Sequence, residues 1–516
     1  MVAAILLGPL AACGVSQGTD ASPVVYATDG TFEGVAQPNL AEGGAFLGIP
    51  FAMPPVAELR WQPPKLISAA NAIVMAKSYA PACVQGDYTT AWYADLIEAF
   101  GGDPLVAATP AGESEDCLYL NVWSPDLAPD KPAPVMVWIH GGSYKGGWSY
   151  EPNYVGEKLS AQQGVVVVSI AYRLGPFGYL GPDADTAGTP VNFGLMDQIT
   201  ALEWVQRNIA AFGGDPDNVT IFGESAGAAS VGTLLTMPET AHLYGRAISE
   251  SGGFEFLYRP NRAEAAAAFG DLTKKLEADG TSPFGATARQ ILDASNTVLA
   301  NYDFGPVVDG DLVPEQPALT LEAGHINPAD LIIGTNRDEW LMYLDPDTIS
   351  TDLADWKTNH PAAAELVDGL SEKYGEASAL DWAETAEFMR CPGLRLASVM
   401  SQQDKSVYVY EFNRARSGAM DVGLGSYHGA EIPYVFDTHD NWLPTDTADH
   451  NITAFMTSAW ARFARTGSPN IRTDTVWPDY GKTGIVLKID QERDTGKPEG
   501  ASLCASMFPS DSAGSE

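Results

Sequence analysis

Apolar residues recur along this chain in two spacings, and the spacings alternate. Pro134-Val-Met-Val-Trp-Ile139 is an almost unbroken apolar run, and Gly164-Val-Val-Val-Val-Ser-Ile-Ala171 is a second. Such runs predict strands buried on both faces. Within residues 192–208 the apolar positions Leu195, Ile199, Leu202 and Val205 follow helical spacing. Gly213-Gly-Asp-Pro216 ends that helix, and Val219-Thr-Ile-Phe222 predicts another strand. Residues 253–300 are Ala/Leu-rich and helical in pattern, and 345–394 mix helix with polar loop. Leu331-Ile-Ile333 and Val407-Tyr-Val-Tyr-Glu-Phe412 predict two more strands, and 453–466 an amphipathic helix. Near the start, Val24–Ala27, residues 30–34 and Gly44–Pro50 are short β-prone pieces broken by glycine, an antiparallel opening to the sheet. Pro54, Pro55, Pro63 and Pro64 forbid regular structure after them. Strand and helix in alternation predict an α/β fold: a large, mostly parallel sheet with helices on both faces and inserted cap segments. The pattern occupies residues 24–509 as one domain, and the polar stretch 510–516 is expected to be disordered.

Composition adds a habitat. The 516 residues carry 29 Lys+Arg against 66 Asp+Glu, a net charge of −37. Such a surface repels nucleic acid and anionic lipid, so neither is expected as a partner. The first twelve residues form a short apolar run ending in small residues, as in an export signal, too short to span a bilayer. Leu10-Ala-Ala-Cys13 resembles a bacterial lipobox, which makes Cys13 a candidate for lipidation and membrane anchoring. One departure is that no Lys or Arg precedes the apolar run. Residues 13–23 read as a linker. The chain is therefore expected to be exported, as a periplasmic or outer-surface lipoprotein or as a secreted protein. Four further cysteines, Cys83, Cys117, Cys391 and Cys504, allow two disulfides in three pairings, Cys83–Cys117 being the shortest closure. No Cys/His cluster, P-loop, dinucleotide fingerprint or EF-hand loop is present in the sequence, and no metal or cofactor is expected.

The chemistry gathers around Gly223-Glu-Ser225-Ala-Gly227. A β-prone stretch runs into it and a small-residue helix follows, the layout of a strand–turn–helix that exposes a serine nucleophile. A serine hydroxyl needs a base to take its proton. The helix beginning at the serine turns its N–H groups toward the site, which favours developing negative charge. Upstream, His140-Gly-Gly-Ser-Tyr144 follows a strand and offers unobstructed N–H groups for an oxyanion. Of the seven histidines, His140 precedes the serine and reads as structural. His242, His325 and His360 do not follow a strand downstream of an acid. Among His428, His439 and His450, only His428 sits between glycines in a loop shortly after a strand. The acid is expected after the strand Leu331–Ile333, where Asp338 and Glu339 both qualify and position does not choose between them. Trp92, Leu96 and Phe100 share a helical face inside the 83–117 segment, either core or, if that segment covers the pocket, an aromatic-lined lid.

Taken together these motifs resemble the type-B carboxylesterases, the family that includes cholinesterases. The resemblance covers nearly the whole mature chain. It is carried by Phe46-Leu-Gly-Ile-Pro-Phe-Ala, Ser114-Glu-Asp-Cys117-Leu-Tyr-Leu-Asn-Val-Trp123, Tyr172-Arg-Leu-Gly175, Phe212-Gly-Gly-Asp-Pro216, Gly223-Glu-Ser-Ala-Gly227, Asn336-Arg-Asp-Glu339 and His428-Gly-Ala-Glu431. It implies an α/β-hydrolase fold and a serine esterase working through an acyl-enzyme on small-molecule esters, without a cofactor. It implies a triad of Ser225, Glu339 and His428. The oxyanion donors would be Gly142, Ser143 and Ala226, with Gly141 shaping the turn, and Ser251 would support the triad. The implied disulfides are Cys83–Cys117 and Cys391–Cys504. A specialised hydrolase of a carbamate, amide or toxin ester would use the same residues, and a non-catalytic binding protein is the rival from another class. Three positions depart from the pattern: Ser143 stands where relatives usually carry Gly or Ala, Trp340 follows the acid where many carry Gly, and the 83–117 segment matches cholinesterases only at its ends, so Trp92 has no assigned counterpart.

Overall fold

The structure, a computed structural model, describes residues 22–67, 72–470 and 476–508. The expected export segment 1–12, Cys13, the linker up to residue 21 and the 510–516 tail lie outside the described residues.

The central sheet has ten strands: β1 (Gly44–Pro50), β2 (Tyr119–Ser124), β3 (Ala133–Ile139), β4 (Val166–Ile170), β5 (Gly214–Glu224), β6 (Arg246–Glu250), β7 (Asp330–Asn336), β8 (Val407–Phe412), β9 (Val486–Ile489) and β10 (Asp494–Gly496). They lie in the order β10-β9-β8-β7-β6-β5-β3-β4-β2-β1. Every neighbour from β9 to β4 pairs in parallel, while β10, β2 and β1 join antiparallel at the two edges. The helices that matter for the site are α1 (Tyr88–Ala99), α2 (Phe193–Asn208), α3 (Ala226–Leu235) and α4 (Thr447–Thr466).

The continuous apolar runs are buried on both faces. Val135, Val137 and Ile139 point into one core with Leu195, Leu202 and Val205 of α2 and Val231 and Leu234 of α3. Met136 and Trp138 point into the opposite core with Phe222 of β5 and Met456, Trp460 and Phe463 of α4. Each such side chain contributes about 1.5–3 kcal/mol by leaving water. This double burial also explains the position of the site. The chain leaves β3 for β4 on one side and returns to β5 on the other, so the order reverses at β3. A reversal of that kind opens a crevice at the carboxyl ends of the two strands. Those ends carry His140–Ser143 and Ser225.

The structure corrects several sequence boundaries. Val24–Ala27 and Gly30–Glu33 do pair antiparallel, but with Ile73–Met75 they form a separate three-stranded sheet rather than the opening of the central one. β5 begins at Gly214, not Val219, because Gly214 pairs with Ala133 before an irregularity carries the strand past Pro216. α4 begins at Thr447 because Asp446 caps it, accepting from the Ala448 and Asp449 amides. The 253–300 helical stretch is two helices, Arg262–Ala278 and Ala288–Val298. Cys83 is bonded to Cys117 and Cys391 to Cys504.

Candidate active site

Ser225 stands between β5 and α3 with φ 54° and ψ −123°, a conformation that ordinary side chains avoid. The turn is this tight because two glycines permit it. A Cβ on Gly223 would lie 2.6 Å from the Ile139 carbonyl oxygen, and one on Gly227 only 2.0 Å from it. The strand–turn–helix read from the sequence is therefore present, and Ser225 reaches the wall of a cavity of about 650 Å³.

Gly141 brings the β3 loop against this turn: a Cβ there would meet the Glu224 carbonyl at 2.8 Å and the Ser225 Cβ at 3.2 Å. Gly142 has φ 101° and Ser143 φ 54°. Their N–H groups have no hydrogen-bond partner among the described residues. Ala226 is the first residue of α3, where a helix leaves its N–H groups without intrahelical acceptors. Ser143 Oγ lies 3.0 Å from Tyr88 Oη, so the departure noted at this position ties the loop to α1.

His428 follows β8 after a long excursion, and its loop is pinned from several directions. Asn336 Nδ2 donates to the Tyr427 carbonyl at 2.7 Å, and Ser426 Oγ donates to the Phe412 carbonyl at 2.7 Å. The Ser426 amide donates to Asp338 Oδ2 at 2.7 Å. Asp338 also pairs with Arg337, at 2.8 Å. This separates the two carboxylates that sequence position left equivalent. Asp338 holds the histidine loop, whereas Glu339 meets the ring: His428 Nδ1 lies 2.7 Å from Glu339 Oε2. Glu339 is fully buried, and its Oε1 accepts from Ser251 Oγ at 2.6 Å and from the Asn336 amide at 2.7 Å.

The other ring nitrogen, Nε2, lies 3.3 Å from Glu224 Oε1, and no hydrogen bond joins it to Ser225 Oγ among the described residues. Burial lowers the affinity of the ring for a proton, but the carboxylates of Glu224 and Glu339 outweigh burial and hold His428 well above the ordinary imidazole range. Burial pushes the Glu224 carboxyl up as well, against the attraction of His428. The Glu224 contact was not foreseen. Its only signal was a carboxylate next to Ser225 in Gly-Glu-Ser.

Trp340 lines the cavity with its ring nearly parallel to the imidazole, centroids 6.4 Å apart. From α1, Tyr88, Thr89, Trp92 and Tyr93 also face the cavity. Trp92 Nε1 donates to Tyr343 Oη at 3.2 Å across it. The aromatic face expected in the 83–117 segment is thus divided: Trp92 faces the cavity, Leu96 is buried in the core, and Phe100 packs near Tyr427. His140 is structural. It is buried, stacked on Tyr172, with Nδ1 2.9 Å from the Gly141 carbonyl, and burial lowers its pKa to about 4. His439 bonds to Arg416 and Thr453, away from the serine. Among the described residues no group of His, Cys, Asp and Glu has the arrangement of a metal site.

A sequence profile of the carboxylesterase family matches residues 21–503. The chain belongs to the carboxylesterase family. It is 34% identical to the para-nitrobenzyl esterase of Bacillus subtilis over 484 residues, covering 90% of this chain and 94% of that protein. It is also 34% identical to the cholinesterase of Mus musculus over 514 residues, covering 90% and 82%. Among solved structures, a carboxylesterase of Geobacillus stearothermophilus superposes with a TM-score of 0.80 at 29% identity, covering 94% of this chain and 99% of that one. A PNB esterase superposes with a TM-score of 0.78 at 30% identity, covering 95% and 100%. The fold is that of the α/β-hydrolases, and the carboxylesterase is a carboxylic ester hydrolase acting on small-molecule esters.

Proposed function

We propose that this carboxylesterase cleaves its esters through an acyl-enzyme on Ser225. His428 Nε2 takes the proton of Ser225 Oγ as the oxygen attacks the ester carbonyl. Glu339 fixes the ring with Nδ1 protonated and stabilises the imidazolium, and Ser251 and the Asn336 amide hold Glu339 in place. The amides of Gly142, Ser143 and Ala226 donate to the oxyanion, each worth about 2.7–4 kcal/mol of barrier if removed. The imidazolium then gives its proton to the leaving alcohol, and water repeats the sequence to release the acid.

The observation that carries this reading is the continuous hydrogen-bonded line Ser251–Glu339–His428, which ends on the cavity wall that also holds the strained Ser225. For transfer, Nε2 must move from Glu224 to Ser225. Catalytic hydrogen bonds are often long before substrate binds, and the serine and the ring already share one cavity. Two disulfides favour an oxidising compartment, and we infer export on that ground. The test is hydrolysis of a p-nitrophenyl ester series from acetate to decanoate by the wild type and Ser225→Ala. The expected loss in the variant is on the order of 10⁶-fold. Turnover that persists in the folded variant would assign the nucleophile elsewhere.

A further inference from the structure

The cavity wall contains a cation that the reaction above does not use. Arg259 lines it together with Phe254, Leu257, Tyr258 and Phe304. Its side chain is only 3% exposed. Of the three guanidinium nitrogens, only Nη2 has partners: the Phe304 carbonyl at 3.3 Å and Asp303 Oδ2 at 3.4 Å. Nε is buried without an acceptor, and Nη1 has none among the described residues. Asp303 is 70% exposed, so water screens much of its attraction. The other nearby carboxyl, Glu255, accepts from the Gly253 amide at 2.7 Å and is pushed up to about 7 by burial, which makes it a partial counter-charge at neutral pH.

The residue is held in place. Gln316 accepts from the Arg259 amide at 2.9 Å and donates to its carbonyl at 2.8 Å. The guanidinium lies over Gly305, where a Cβ would come within 2.3 Å of Nη2 and 2.9 Å of the Tyr144 ring. Tyr144 directly follows the loop that carries Gly142 and Ser143. An arginine stays charged at any working pH, and burying one with unused donors is costly unless something occupies them. The planar fork matches a carboxylate, which can accept from two nitrogens at once.

We infer that Arg259 binds a free carboxylate of the substrate, so that the preferred substrates are anionic esters: half-esters of dicarboxylic acids, or esters of hydroxy acids. This rests on the hydrolytic reading of the same cavity. Water adds across the acyl–oxygen bond as before, giving the acid and the alcohol, and the distal carboxylate is unchanged. The chain's net charge of −37 disfavours anions in general, so a preference for them requires a local cation.

The test compares kcat/KM for monomethyl adipate with methyl hexanoate, and for 6-acetoxyhexanoate with hexyl acetate, in the wild type, Arg259→Met and Arg259→Lys. The wild type is expected to favour the anionic member of one pair. Arg259→Met lowers that ratio by about ten- to a hundredfold, and Arg259→Lys restores part of it. The pair that responds identifies whether the acid or the alcohol carries the carboxylate. Ratios unchanged by Arg259→Met in both pairs overturn the inference. Titration calorimetry of adipate into Ser225→Ala, with and without Arg259→Met, reads binding independently of turnover: equal affinity in the two proteins also overturns it. The esterase reading fails separately, by neutral-ester hydrolysis that survives Ser225→Ala.

Discussion

At the scale of residues, the proposed mechanism turns on the pair His428 and Glu224. Only the neutral ring can accept the serine proton, so activity requires the imidazolium to lose its proton first. Because the neighbouring carboxylates hold that proton, to a pKa of about 9, kcat/KM is expected to rise with pH through an alkaline midpoint rather than one near 6.5. Glu224→Gln removes the carboxylate 3.3 Å from Nε2 and should move the midpoint down toward the ordinary imidazole value. A pH–rate profile unchanged by the substitution would contradict this account of the ring. Ser225 was legible in the sequence because its turn is local: the glycines that permit it lie two residues away on each side. His428 was legible through its flanking glycines. Glu339 and Asp338 were indistinguishable because adjacent residues share a position and differ only in which way the loop points them. Glu224 and Arg259 contribute through contacts with segments distant in sequence, which no local pattern records.

At the scale of elements, the cavity depends on segments secured by the two disulfides. Cys83–Cys117 encloses α1, which supplies Tyr88, Trp92 and Tyr93 to the wall. Cys391–Cys504 spans 113 residues against 34 for the first, so it restricts the unfolded chain more. Chain entropy puts the two at about 3.8 and about 4.8 kcal/mol. Replacing Cys391 and Cys504 with Ser should therefore lower the urea unfolding free energy more than replacing Cys83 and Cys117. The second replacement should instead act on activity, by loosening the Tyr88–Ser143 and Trp92–Tyr343 contacts. The reverse ranking in denaturation would show that native contacts, not chain entropy, dominate. Elements buried on both faces, such as β3 and β4, were legible because their apolar runs have no other explanation. The three-stranded sheet at residues 24–75 was misassigned, because β-propensity says nothing about which strands will be neighbours. The extension of β5 through Pro216 was hidden because a proline at an irregular point in a strand reads as a terminator.

For the molecule as a whole, burial of carboxyls sets the pH dependence of stability. Burial pushes Glu151, Glu255 and Glu431 up to about 7. An unfolded glutamate titrates near 4.3, so the native state binds more protons from roughly pH 4.3 to 7. His428, raised to about 9 from an unfolded value near 6.5, extends the same sign to higher pH. Stability should therefore fall as pH rises from about 5.5 to about 8.5, which urea titrations at the two values would read. The acid limit lies elsewhere. Arg414 and Tyr434 outweigh burial to hold Asp449 down at about 2, so its contribution is present above an unfolded value near 3.9 and is lost as pH falls toward 2. The measurement that tests the central claim most directly is mass spectrometry of the protein after reaction with a p-nitrophenyl phosphonate ester, an acylating-substrate mimic whose adduct does not turn over. The account predicts one equivalent of p-nitrophenolate, loss of esterase activity and a single adduct on the peptide containing Ser225. Full loss of activity with the adduct on another residue, or continued hydrolysis with Ser225 modified, would contradict it.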